Sequence, residues 1–283
     1  MRTSVLSCFN NSLVYACARS VKRIISNRVI LTILIGLAIL CGLGFAVNRN
    51  RARSVVSARR SQMPGIVLWA WERPTYLHFI KPDQTGVAFL ARTVHLKNDE
   101  VIARPRLQPL NLPANSRVTA VVRVETDSAS QPSLSTSQTT RLANLISEVA
   151  GLPNIVAVQI DFDATRSQRE FYRNVIVEVR RHLPETIGLS ITALVSWCAD
   201  DNWLADLPID EAVPMLFRMG ADKQLLKNRL AAGEDFSSML CRNSYGISTD
   251  EPVENLRPDR RIYVFNPDAW TEQSVSALTE PKR

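Results

Sequence analysis

Between Val156 and Asp163 the chain alternates: Val158, Ile160 and Phe162 are apolar, whereas Gln159, Asp161 and Asp163 are polar. Successive side chains of a strand point to opposite faces, so this stretch reads as a strand greasy on one side and polar on the other. A helix-like run follows over residues 167–182, and then a second apolar stretch over 187–193. Strand, helix and strand at that spacing make a βαβ unit. The same reading predicts strands at 66–71, 87–91, 118–125, 155–163, 189–195, 212–217, 245–248 and 262–265. Helices are predicted at 137–150, 167–182, 222–231 and 268–278, with a short piece near 202–204. Residues 92–113, with the turn pair Asn98-Asp99, read as a hairpin.

Eight strands mostly alternating with helices favour an α/β fold of the (β/α)8 TIM-barrel type over a doubly wound sheet. Polar alternation recurs on other strands. Thr119, Val121, Arg123 and Glu125 share one face, as do Ser190, Thr192 and Ser196. A flat parallel sheet covered on both sides shows unbroken apolar runs, whereas polar residues turned toward a lumen suit a barrel. No glycine-rich phosphate loop of the GxGxxG or GxxxxGK type is present, which argues against a nucleotide enzyme.

Residues 29–47 form an almost unbroken apolar run, just long enough to cross a bilayer. The expected organisation is a basic segment at 1–28, a transmembrane helix at 29–47, a basic linker at 48–62 and a barrel domain at 63–283. A cleaved signal peptide is the alternative, since Gly44-Phe45-Ala46 has small residues suited to cleavage. The long preceding segment and the arginines at 49, 51 and 53 favour an uncleaved single-pass anchor. Cations flank the run on both sides, so charge alone sets no orientation. The folded domain is expected outside the cytoplasm.

Ten basic and no acidic residues lie between Met1 and Gln62, more than the whole-chain surplus of +7, so the rest is mildly acidic at about −3. The basic pI therefore belongs to the N-terminal segment and leaves no nucleic-acid footprint on the domain. No Cys/His spacing suggests zinc, the acidic loops lack a calcium motif, and no cofactor is expected. Within the domain, Cys198 and Cys241 are read as two separate thiols, with a disulfide in an oxidising compartment as the alternative. Their strand assignments put them on opposite rims, beyond disulfide reach.

Chemistry in such barrels gathers at the carboxyl ends of the strands. Asp161 and Asp163, two apart on one strand, are candidate catalytic carboxylates able to raise one another's pKa. Glu125, ending the preceding strand, is the candidate third acid, since glycoside hydrolysis uses carboxyl pairs about 5–9.5 Å apart. Arg123 stands two residues before it and can pair with either aspartate; a purely structural ion-pair cluster is the competing reading. Glu72 follows Trp69-Ala70-Trp71, where Trp71 can offer a stacking face for a sugar or fill the core. Trp197, read as ending the fifth strand, has the same two readings. Arg218 can hold a substrate anion or an aspartate, and Asp250 is placed on the same rim. The histidines fall in connections or, for His182, at a helix end, and form no triad.

Residues Gln159-Ile-Asp-Phe-Asp-Ala164, Ile191-Thr-Ala-Leu-Val-Ser-Trp-Cys198 and Asp210-Glu-Ala-Val-Pro-Met-Leu-Phe-Arg-Met-Gly220 resemble the bacterial domain-of-unknown-function family 3142. Arg106-Leu-Gln-Pro-Leu110, Val121-Val-Arg-Val-Glu125 and Gly246-Ile-Ser-Thr-Asp-Glu-Pro252 fit the same pattern. The resemblance implies a barrel distantly similar to glycoside hydrolases. A weaker likeness is to the chitinase-like hydrolases, whose fourth strand ends in Asp-x-Asp-x-Glu. Here Asp161 and Asp163 match the aspartates, but Thr165 stands where the proton-donating Glu would be. Two functions follow: an anchored hydrolase of envelope or extracellular carbohydrate, or a barrel that binds carbohydrate or serves as a scaffold without catalysis.

Overall fold

The computed structural model describes Val47, Arg51 and residues 54–199, 201–220 and 223–279, the side chains of 225–227 excepted. The chain divides into two compact units, Met1–Ser54 and Val55–Arg283. All but Val47 of the expected membrane span lies outside the described residues. No helix among the described residues is long and apolar enough to cross a membrane.

The second unit is a closed barrel of eight parallel strands: β1 (Ile66–Ala70), β3 (Thr85–Lys97), β6 (Val118–Thr126), β7 (Ile155–Asp161), β8 (Gly188–Leu194), β9 (Glu211–Met215), β10 (Ser244–Ser248) and β11 (Arg261–Phe265). They pair in that order, and β1 closes the cylinder by pairing with both β3 and β11. All eight predicted strands are present. β4 (Glu100–Pro105) runs antiparallel to β3 through a turn at Asn98, as the hairpin reading expects. β2 (Thr75–Tyr76) and β5 (Leu110–Asn111) form a separate two-stranded sheet. From β1 onward the helices are α1 (Thr136–Glu148), α2 (Arg169–His182), α3 (Val195–Ala199), α4 (Lys223–Ala231) and α5 (Glu272–Thr279). The piece expected near 202–204 is a turn; the helix forms earlier, as α3.

Alternation sorts the strand residues into two cores. Ala120, Val122 and Val124 of β6, Val158 and Ile160 of β7, and Leu189 and Ile191 of β8 point outward, with Phe162 just past β7. They meet Phe171, Tyr172, Val175, Ile176 and Val179, which make one face of α2 at helical spacing. Inward residues fill the lumen, where Val67, Trp69, Val121, Val213, Phe217 and Tyr263 pack together. Trp69 fits because β10 has glycine at 246: a Cβ there would lie 3.0 Å from the indole and 2.9 Å from the Met215 sulfur.

The amino-terminal pole is plugged by the segment leading into β1. Met63 enters the lumen cluster, while Arg59 makes a two-pronged contact with buried Asp210, at 2.6 Å for its shortest pair. Asp210 also accepts from the Leu189 amide at 2.8 Å. Beside it Arg261 holds Glu211 at 3.0 and 3.1 Å, and the Tyr263 hydroxyl donates to the same carboxylate at 2.7 Å. The stretch 48–62, expected as a solvated linker throughout, is therefore docked from Arg59 onward, because Asp210 and Glu211 offer carboxylates that need cationic partners.

Two expectations are corrected. Cys198 and Cys241 form a disulfide with a Cα–Cα separation of 5.8 Å. The chain reverses immediately after β8, so α3 carries Cys198 back into the outer layer. Cys241 lies there too, on the 3-10 turn Met239–Arg242 packed against β9. Trp197, on the same short helix, is buried in the outer core, edge-on to Trp203 at 4.8 Å. It does not reach the rim, because the strand ends at Leu194 and the helix turns its ring away from the lumen.

Closing a loop of this length stabilises a fold by about 2–4 kcal/mol. Cys198→Ser should lower unfolding free energy by that amount in denaturant titration, and a non-reduced digest should contain one linked peptide pair. Alkylation of Cys198 and Cys241 themselves in the unfolded, unreduced protein would contradict the bond.

Candidate active site at the carboxyl rim of the barrel

The rim has two unlike walls. One is polar and runs across β3, β6, β7 and β8. On it Arg123 donates from Nε to Glu125 Oε1 at 2.8 Å and from Nη1 to Asp161 Oδ2 at 3.1 Å. The other oxygen of Asp161 accepts from the Thr192 hydroxyl at 2.7 Å. The far oxygen of Glu125 lies 3.2 Å from His95 Nδ1. Four neighbouring strands thus supply one continuous row, His95–Glu125–Arg123–Asp161–Thr192. Below it, Gln159 accepts from Trp69 Nε1 at 2.9 Å and donates to Ser190 at 3.2 Å.

The opposite side, from β1, β11 and the segment after β9, is aromatic, with Trp69, Phe217 and Tyr263 buried in the lumen and Trp71 and Phe265 half-buried at its top. Trp69 lies 5.3 Å from Tyr263 and 6.3 Å from Phe217, and Phe217 stacks on Phe265 at 5.5 Å and 7°. Above them Trp71 sits half-buried under the Arg123 guanidinium, 5.7 Å from its centroid.

Asp161 is buried, at 8 % exposure. Desolvation raises its pKa, and neither the Arg123 charge nor the Thr192 bond cancels that rise; the Asp163 charge adds to it. Burial pushes the Arg123 pKa down, but attraction from Asp161 and then Glu125 more than reverses this, so Arg123 is held above its ordinary value. The two directions are compatible. Arg123 divides one positive charge between two carboxylates, and only Asp161 has lost its water.

Each sequence candidate has a place. Asp161, Arg123 and Glu125 are directly joined. Asp163 follows the end of β7, exposed, with its charge felt at both Asp161 and Arg123. Glu72 is exposed and accepts from the Thr93 hydroxyl at 3.5 Å. It lines a cavity of about 280 Å³ with Thr93, Arg104, Arg106 and Leu107. Asp250 is exposed and accepts from Ser248. Strand parity groups Arg218 with Pro214 and Leu216, the face expected to line the lumen, yet Leu216 packs in the outer core and Phe217 in the lumen. β9 ends at Met215 and Arg218 takes a left-handed φ of 49°, which swings its guanidinium over the Phe265 ring at 5.1 Å. Trp197 is absent from the rim.

Thr165 has a structural task. It caps the 3-10 turn Arg166–Gln168, with Gln168 returning a bond to the Thr165 amide at 2.9 Å. Sequence reasoning passed over His95, placing it in a connection. β3 is thirteen residues long and overshoots the rim, and an irregularity between Leu90 and Arg92 shifts its parity. Thr93 and His95 thereby face the same side as Arg123 and Glu125. The alternation of Thr93, His95 and Lys97 with Val94 and Leu96 is the signal that would have found it. Among the described residues no group of three or more His, Cys, Asp or Glu could hold a metal ion.

Because Asp161 titrates above the ordinary 3.8, the unfolded chain releases that proton first as pH rises. Stability contributed by the protonated form is therefore lost on going from about 3.8 up to the folded-state pKa, and is level above it. The substitution Asp161→Asn removes the titrating group. Wild type should lose stability relative to that variant across the same window, by at most about 1.4 kcal/mol per pH unit in urea titrations. A wild-type advantage that grows with pH would contradict the desolvated carboxylate.

No protein-family model matches the chain, and neither does any curated protein or solved structure.

Proposed function

We propose that this chain is a barrel hydrolase acting on envelope or extracellular carbohydrate, held at a membrane by residues 29–47 and similar to domain-of-unknown-function family 3142. The observation that carries the reading is the Arg123 bridge between Glu125 and Asp161, set over the half-buried ring of Trp71. Sugars are amphipathic: hydroxyls bond carboxylates and guanidinium groups, while ring C–H faces pack on aromatic rings. Asp163 and Glu125 occupy the solvent side of Arg123 and are the carboxylates a sugar would meet. Glycoside hydrolysis asks one carboxyl group to protonate the leaving oxygen and another to act as nucleophile or to activate water. Asp161 lies behind them. While it keeps its proton the Arg123 charge is committed to Glu125, and when it ionises that charge is shared, so its protonation tunes the exposed pair. The Cys198–Cys241 bond supports placing the domain in an oxidising compartment, outside the cytoplasm.

A binding or scaffold barrel without catalysis is the second reading. The capping role of Thr165, at the position where chitinase-like enzymes carry their acid, favours it.

Screening a glycan array and assaying each hit for new reducing ends separates the two. For a hydrolase, Asp163→Asn should lower turnover about 10²–10⁴-fold with an unchanged melting temperature, and wild type should show a bell-shaped pH profile. Retention of glycans with no reducing ends released, equal in wild type and Asp163→Asn, would favour the binding barrel. No retention and no release would overturn both.

A further inference from the structure

Arg218 is built into the rim yet neutralises nothing there. Its amide donates to Glu251 Oε1 at 3.1 Å, and the other oxygen of Glu251 is taken by Lys223. That carboxylate is therefore spent on the backbone and on a lysine. The guanidinium of Arg218 sits over Phe265, 5.1 Å from its centroid, and Phe265 is itself stacked on Phe217. Among the described residues no acidic group pairs with it and no acceptor takes its N–H groups, although the side chain is exposed at the mouth.

Two features show that this placement is specified. A left-handed φ at a non-glycine residue is uncommon and costs on the order of 1 kcal/mol or more, so it persists only where surrounding contacts impose it. The amide bond to Glu251 is such a contact. The contact with Phe265 takes up none of the guanidinium N–H groups, and these form the fork that matches a carboxylate.

We infer that Arg218 is a specificity residue selecting carbohydrate that carries carboxylate groups, a uronic-acid chain, with the sugar carboxylate received by its fork. The inference rests on the carbohydrate reading and narrows it. A neutral sugar offers an unpaired guanidinium only single hydroxyl acceptors, whereas a carboxylate matches both its charge and its fork, and that is the partner the protein itself withholds.

The test is calorimetric, on the full chain. Oligogalacturonate and oligoglucuronate would be compared with their methyl esters, which keep the ring and remove the charge. Wild type should bind an acid at least tenfold more tightly than its ester. Arg218→Gln should abolish that preference, and Arg218→Lys should recover only part of it. Equal affinity for acid and ester in wild type would overturn the inference without using any variant, as would a preference surviving in Arg218→Gln. Binding of neutral oligosaccharides with neither acid bound would remove the uronate assignment and leave the carbohydrate reading standing. Failure of every glycan would remove both.

Discussion

A carboxylate turned into the lumen of a closed barrel loses most of its water, and the protein must supply fixed donors or let the group keep a proton. Asp161 shows both responses. Thr192 and Arg123 each occupy one of its oxygens, and its pKa is still raised. Arg123 cannot satisfy it fully because Glu125, on its own strand, claims the other side of the guanidinium. That unequal division of one positive charge organises the row from His95 to Thr192. Each member comes from a different strand or from the next inward position of the same one, so the arrangement exists only because the cylinder is closed and its registers are fixed.

The two poles handle charge differently. At the amino-terminal pole Asp210 and Glu211 are buried and fully claimed, by Arg59 and by Arg261 with Tyr263. Those groups seal the barrel and hold the entering chain against it. At the carboxyl pole the acids are graded outward, from buried Asp161 through half-exposed Glu125 to exposed Asp163 and Glu72. Arg218 is presented there without an acid of its own. Apart from the Glu251–Lys223 pair, shared or unpaired charge marks the carboxyl pole and closed pairs mark the other, and this contrast underlies the proposed site.

Much of this was legible in the sequence. Period-two alternation located every barrel strand, and it put Asp161, Arg123 and Glu125 on a common inner face, because a pleated strand leaves no other option. Alternation fails where strand geometry stops. Arg218 lies three residues beyond the end of β9 in a left-handed conformation, so its place over Phe265 is set by the loop and not by strand parity. His95 was hidden by the irregularity in β3. The disulfide was misjudged because α3 reverses at once after β8, and a rim position inferred from strand ends does not anticipate a half-cystine carried back by a five-residue helix. Trp197 was displaced by the same reversal. Thr165 carried a readable sign of its structural task, since Gln168 three residues later completes a capping box.

Everything at this rim turns on Asp161 being a desolvated acid steadied by Arg123. The most direct measurement is a carbon-13 NMR titration of the Asp161 carboxyl in wild type and in Arg123→Met. Above the ordinary 3.8 in wild type, and higher still once the guanidinium is gone, is the predicted result. A carboxyl that titrates at or below 3.8 in wild type, or that ignores the loss of Arg123, would contradict it.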